Sequence, residues 1–238
     1  MKFKILTLFP EMFPGPLGFS IIGKALKKKK FILETINIRD FSKKKSKTVD
    51  DKPFGGGAGM IIQPDILQNS LEYAKKEVKH PKIIYLSPSG KRFSHKIAKE
   101  IINYKNVIIV CGRYEGIDER FLEYNKIDEI SVGDYVLSGG ETAAFILIDA
   151  CVRLIPEVLG NSESLRSESF HDYLLEYSQY TKPSIWKKLK VPEVLLTGNH
   201  KKISDWRLKN SLEKTKKIRP ELYNLFVKEK KRKLWITF

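Results

Sequence analysis

Two glycine-rich stretches, beginning about twenty residues apart, constrain this chain more than any other feature. The first runs Cys111-Gly112-Arg113-Tyr114-Glu115-Gly116-Ile117-Asp118-Glu119-Arg120, and the second Ser131-Val132-Gly133-Asp134-Tyr135-Val136-Leu137-Ser138-Gly139-Gly140-Glu141. Each follows or carries an apolar run that reads as a buried strand, and helix-compatible sequence comes next. A glycine in such a loop lets the backbone approach a ligand closely or take positive φ, so that main-chain groups can read it. Paired at the strand ends of one α/β sheet, two such loops make a small-molecule site.

The surrounding pattern supports that sheet. Phe3–Phe9 and Phe31–Ile38 read as strands, with a helix over Ser20–Lys30 between them. A long polar loop carries Asp50, Asp51, Lys52 and the run Gly55-Gly56-Gly57-Ala58-Gly59. Pro64 is placed to open a helix reaching about Lys79. Strand Lys82–Leu86, turn Ser87-Pro88-Ser89-Gly90, helix Ser94–Asn103 and strand Asn106–Cys111 follow. A short helix over Ile117–Tyr124, an extended Glu129–Val136 and an apolar helix Glu141–Leu154 complete the series. Strands alternating with helices predict a parallel α/β sheet over residues 1–160.

After Gly160 the character changes. Residues 161–169 are polar and poor in apolar anchors, which reads as a linker, and residues 170–238 are helix-rich and aromatic. Leu208, Ser211, Leu212 and Thr215 recur at helical spacing as a packing face, with Arg207, Asn210, Lys214 and Lys217 on another. The net charge is +16, and residues 161–238 hold +9 of it, from 18 basic and 9 acidic side chains. A basic balance of this size predicts attraction to a polyanion. Lysine bias is the bland alternative, since Lys supplies 35 of the 44 basic residues. No apolar span of about 18 residues, signal peptide or lipidation motif is present, so nucleic acid is favoured over membrane and the chain reads as cytoplasmic. Cys111 and Cys151 make neither a disulfide framework nor a metal quartet, and the four histidines are scattered.

The glycines do not spell a common phosphate-binding motif. Gly55–Gly59 lacks the Lys-Ser/Thr of a P-loop, and Gly112–Gly116 lacks the three-glycine dinucleotide spacing. Nucleotide hydrolysis and hydride transfer both lose ground. The full wording of the two stretches, together with Tyr85-Leu86-Ser87-Pro88, closely resembles bacterial tRNA (guanine-N1)-methyltransferases. Leu8–Phe13, Thr48–Asp51, Gly55–Met60, Tyr180–Pro183 and Trp206–Lys209 extend the resemblance over nearly the whole chain. It implies a SPOUT-type α/β domain with a deep trefoil knot at the cofactor site, followed by a small C-terminal helical domain that binds tRNA. It also implies a homodimer with active sites shared between subunits.

By that resemblance the methyl donor is S-adenosylmethionine. Tyr85, Leu86, Ser87 and Pro88 form one wall of its pocket, with Gly112, Tyr114, Glu115 and Gly116 a second. The third comprises Val132, Gly133, Asp134, Tyr135, Val136, Leu137, Gly139 and Gly140. For Glu115 two readings stand side by side: it faces the cationic methionine end, or it caps the short helix near Ile117.

Methylating guanine N1 needs a base for its proton and a cation to steady charge moving onto O6. The resemblance assigns the cation to Arg153, which by itself reads as a helix C-terminal charge. It assigns the base to Glu168, where the family carries aspartate, with Asp172 in reserve. Glu176 likewise stands in for a family aspartate. Asp50, Lys52, Gly59, Arg113 and Glu176 are the expected tRNA contacts. The target is the guanosine at position 37, flipped into the pocket, with the linker closing over it. Magnesium dependence is also implied, although no ligand cluster can be read. The competing readings are another SPOUT methyltransferase, acting on ribosomal RNA or a ribose 2′-hydroxyl, and a non-catalytic basic RNA-binding protein.

Overall fold

Five strands lie side by side and all run the same way, which puts their C-terminal ends on one edge. They are β1 (Lys2–Thr7), β2 (Ile32–Asn37), β5 (Lys82–Arg92), β6 (Asn106–Cys111) and β7 (Asp128–Ser131), in the spatial order β2-β1-β6-β5-β7. The structure is a computed structural model describing residues 1–159 and 168–235. The chain divides into two compact units, Met1–Gly160 and Asn161–Phe238.

In the first unit the central strands are buried on both faces, as parallel strands under two helical layers must be. Alternation sorts their side chains. Phe3, Ile5, Val107, Ile109 and Cys111 enter one core, and Leu6, Ile108 and Val110 the other. Helices α1 (Ser20–Lys27), α3 (His95–Ile101) and α5 (Gly140–Val152) pack into the first core through residues such as Ile22, Ile101 and Leu147. Helices α2 (Pro64–Lys75) and α4 (Glu119–Asn125) pack into the second through Leu67, Leu71 and Phe121. Lys4 is the exception within β1: it is buried, and its ammonium lies 3.5 Å from both Glu34 and Glu77. A two-stranded ribbon pairs β3 (Asp50–Asp51) with β4 (Ile61–Ile62).

Local chemistry explains the helix boundaries. Ser94 accepts from the Ile97 N–H and Asp118 from the Arg120 N–H, each capping a short helix. Pro64 opens α2 at its first position, yet the helix stops at Lys75 rather than near Lys79. The extended run expected over Glu129–Val136 also ends earlier than the residues suggest, as β7 stops at Ser131. Residues 132–139 are loop, freed from the ladder to line the site.

The second unit holds α6 (His200–Ile218), α7 (Pro220–Trp235) and a hairpin of β8 (Ile185–Trp186) with β9 (Leu189–Lys190). Asn199 caps α6 through the Lys202 N–H at 3.1 Å. The expected packing face of α6 is partly apolar in sequence but polar in action. Ser211 and Thr215 are buried, whereas Leu208 is exposed. Thr215 Oγ1 accepts from the Leu175 N–H at 2.8 Å, and Asn210 Oδ1 from the Ser178 N–H at 2.8 Å. Lys214 donates to the Glu176 carbonyl at 3.0 Å. Asn210 and Lys214, read as part of a separate face, therefore clamp an extended segment. The linker expected over 161–169 lies outside the described residues except for Glu168 and Ser169.

Candidate active site

Leu86 ends its run beside Cys111 of β6 and Ile130 of β7, so three adjacent strands release their loops at one place. Strand β5 leaves the ladder after Leu86 and returns at Lys91, which pairs with the same Ile130. The excursion Ser87–Gly90 is pinned by Ser89 Oγ, which donates to Glu129 Oε2 at 2.9 Å. Together with the loops after β6 and β7 it encloses a cavity of about 270 Å³. Such a position, outside the carboxyl ends of parallel strands, is where α/β sheets bind small ligands.

Every residue the sequence assigned to the methyl donor lines this cavity except Asp134. Asp134 points away instead, exposed and 3.8 Å from Arg92. A loop residue between two lining neighbours need not itself line, and no local pattern marks which ones do. Arg113, Ile130, Ser131, Ser138 and Ala143 line the cavity too, although of these only Arg113 had an expected role, and that as a tRNA contact. The strand ends Ile130 and Ser131 and the helix residue Ala143 carry no glycine signal that would have singled them out.

Several groups in and beside the wall are held uncharged by burial. Tyr85 is only 8% exposed, and burial, reinforced by the negative charges of Glu129 and Glu119, pushes its phenol up to about 12. It therefore stays protonated near neutrality. A Cβ at Gly112 would stand 2.7 Å from its hydroxyl, so glycine is required for the phenol to lie there. Cys111 is fully buried and its thiol is pushed well up, chiefly by burial. Burial likewise raises Cys151 to about 12. Both are free thiols held away from the thiolate form that a nucleophile needs.

The loop of residues 50–62 is stitched to the second wall. The Glu115 N–H donates to the Met60 carbonyl at 3.0 Å, Ile62 N–H to Gly116 at 3.1 Å, and Asp118 N–H to Ile62 at 3.2 Å. Gly59, at φ +84°, carries no Cβ where the Glu115 side chain lies. Glu115 lines the cavity, and the cap of the following helix is Asp118 rather than Glu115. Asp50 is paired in the ribbon with Ile62, and Lys52 is exposed beside it.

Arg153 is the C-cap residue of α5, its N–H donating to Asp149 at 3.2 Å, and is half-buried. Glu168 belongs to the second unit, where it is half-buried and its carbonyl accepts from the His171 N–H at 3.3 Å. Asp172 has left-handed backbone, and its carboxylate lies 3.3 Å from His171 Nδ1. The Glu176 N–H is held by Ser169 Oγ at 3.0 Å, and its carboxylate accepts from Gln179. Among the described residues no group of three or more His, Cys, Asp or Glu side chains could hold a metal ion.

A parallel α/β sheet carrying a loop-built cavity of about 270 Å³ at its strand ends defines an α/β protein that binds a small ligand there. The profile of the family described as tRNA (Guanine-1)-methyltransferase TrmD matches residues 1–225, and the chain belongs to that family. Curated relatives named tRNA (guanine-N(1)-)-methyltransferase are similar over almost their full length. One from Wolbachia pipientis subsp. Culex pipiens (strain wPip) is 52% identical, covering 92% of this chain and 96% of its own. Another, from Ehrlichia ruminantium (strain Gardel), is 52% identical over 92% and 94%. A third, from Pelagibacter ubique (strain HTCC1062), is 51% identical over 94% and 98%.

Proposed function

We propose that this protein transfers a methyl group from S-adenosylmethionine to N1 of the guanosine at position 37 of tRNA, next to the anticodon. The observation that carries the reading is the cavity of about 270 Å³ whose three walls are the three loops on which the family resemblance rests. Apolar edges from Leu86, Val132 and Leu137 suit an adenine face, and the glycine backbones supply the few hydrogen bonds that fix it. When bound, S-adenosylmethionine supplies a methyl group made electrophilic by its sulfonium.

In this reading the Glu168 carboxylate accepts the N1 proton as the N1 electron pair forms the bond to the methyl carbon. The electrons of the broken carbon–sulfur bond remain on sulfur. Arg153 donates to O6, where negative charge gathers as the proton leaves, and being always cationic it serves that role at any working pH. Glu168 is one methylene longer than the family's aspartate, so its backbone sits correspondingly further from N1. No step is assigned to magnesium.

Glu168 and Arg153 lie in different units of the chain. We take the active unit to be a homodimer in which one subunit's Glu168 completes the other's pocket. Helix α5 is mostly apolar, and on its exposed face Ile146 lies open beside Thr142 and Asp149, which leaves one apolar side chain for a partner to cover. The knot at the cofactor loops, a tRNA-gripping role for Asp50, Lys52, Gly59, Glu176 and the basic C-terminal unit, and a cytoplasmic location alongside tRNA complete the proposal. No helix among the described residues is long and apolar enough to cross a membrane.

Single-turnover methylation of tRNA carrying guanine or adenine at position 37, followed by nucleoside analysis, tests the reading. The expected product is N1-methylguanosine from the guanine substrate alone. A methyl group on ribose, or on ribosomal RNA, would sink it, as would RNA binding with no cofactor-dependent product.

A further inference from the structure

Arg113 sits where the sequence suggested a hand reaching for RNA, but its hydrogen bonds turn inward. Its Nε donates to Glu141 Oε2 at 3.0 Å, and Glu141 is completely buried, at 0% exposure. The other carboxylate oxygen of Glu141 accepts from Thr7 Oγ1 at 2.6 Å, and Thr7 Oγ1 in turn accepts from the Phe9 N–H at 2.9 Å. Arg113 Nη1 donates to the Ser138 carbonyl at 2.9 Å, and Nη2 faces the Met12 sulfur at 3.7 Å. The guanidinium lies over the Phe9 ring, 4.4 Å from its centroid.

These contacts tie together three segments far apart in sequence: the end of β1, the loop after β6 and the loop before α5. Two of the three cavity walls meet at this point, and both Arg113 and Ser138 line the cavity. The Gly140 N–H to Gly112 carbonyl bond, 2.9 Å, is the only backbone–backbone link between those two walls among the described residues. Gly139 leaves room for the guanidinium, since a Cβ there would overlap Arg113 Nε. A carboxylate buried this deeply needs its counter-charge, because removing one partner leaves an uncompensated charge out of water. Swinging Arg113 out to a phosphate would expose that cost.

We infer that Arg113 is a positioning residue for the methyl donor rather than a contact for RNA. Held by buried Glu141, it sets the spacing of the Gly112–Gly116 and Val132–Gly140 walls through Ser138. A lysine keeps the charge but lacks the fork that reaches Glu141 and Ser138 together. Loosening this clip widens the pocket without touching any group that grips tRNA. The inference rests on the pocket being that of S-adenosylmethionine.

The test is to measure S-adenosylmethionine affinity by calorimetry, and tRNA affinity without cofactor by filter binding, for the full-length wild type, Arg113→Lys and Glu141→Gln. Wild type binding no cofactor would defeat the functional reading itself. Given wild-type binding, the expected result is a cofactor affinity lower by about tenfold or more in both variants. Affinity for tRNA then stays within about twofold, and in steady state the cofactor KM rises more than kcat falls. Arg113→Lys retains the counter-charge for Glu141 and so decides the matter even if Glu141→Gln does not fold. Cofactor affinity unchanged in Arg113→Lys, or tRNA affinity lost while cofactor affinity holds, overturns the inference.

Discussion

Single atoms govern the pocket. Gly139 and Gly140 look like a ligand-reading pair, yet the structure uses both for close approach within the protein. A Cβ on Gly140 would stand 2.7 Å from the Cys111 Cα, and one on Gly139 would displace Arg113. Gly139→Ala is therefore expected to cut cofactor affinity by about tenfold or more, because the added Cβ presses the guanidinium off Glu141 and Ser138, and to lower the melting temperature as well. Calorimetry against a thermal melt checks this; unchanged affinity would refute it. Tyr85 makes a second case. Its phenol is raised from 10.0 to about 12, so between these values the unfolded chain has lost a proton that the folded chain keeps. The unfolded state then binds fewer protons, and stability falls as pH rises through that window. Tyr85→Phe should flatten the alkaline limb of a urea-midpoint profile between pH 10 and about 12 relative to wild type. Parallel profiles would show the phenol is not so held. The glycines were legible as a pocket, but not the atoms each makes room for, since those come from Cys111 and Arg113 across the fold.

Elements show the same division. Strand β6 is read correctly to both ends from Asn106-Val107-Ile108-Ile109-Val110-Cys111, because a centre strand buried on both faces must be continuously apolar. Strand β5 is not, because its return at Lys91–Arg92 is decided by the open edge of β7 rather than by its own polar residues. Helix α6 offers a comparable lesson. Its periodicity marks a face, but the burial of Ser211 and Thr215 depends on the extended segment that happens to need donors and acceptors there. Thr215 Oγ1 both accepts from Leu175 and donates to the Ser211 carbonyl, at 2.8 and 2.7 Å. Thr215→Val keeps the volume and strands the Leu175 N–H, at a cost of roughly 1–3 kcal/mol. Urea unfolding followed by tryptophan emission should register it, since Trp186 and Trp206 both belong to the second unit. A change below about 0.5 kcal/mol would mean that water replaces the hydroxyl.

For the molecule as a whole, the proposed base Glu168 and the proposed cation Arg153 belong to different units, so the proposed catalysis becomes a question of assembly. Glu168→Gln should abolish most turnover while cofactor binding survives, and Glu168→Asp should retain much of it; full turnover by the Gln variant would assign the proton elsewhere. If each site takes Glu168 from one subunit and Arg153 from the other, Arg153→Ala and Glu168→Gln complement each other. Mixed and reassembled, half of the dimers are hybrids with one intact site, which restores about a quarter of wild-type activity. No restoration would place both residues in one subunit's site. The sequence by itself determined the alternating strands and helices, the three loops that would carry the pocket and the basic C-terminal third. Those properties are written in local periodicity, glycine placement and net charge. Only the tertiary structure decided that Asp134 leaves the pocket towards Arg92 and that Arg113 belongs to Glu141. Each depends on which side chain from a distant segment the fold delivers alongside, a distance set by packing and not by spacing along the chain.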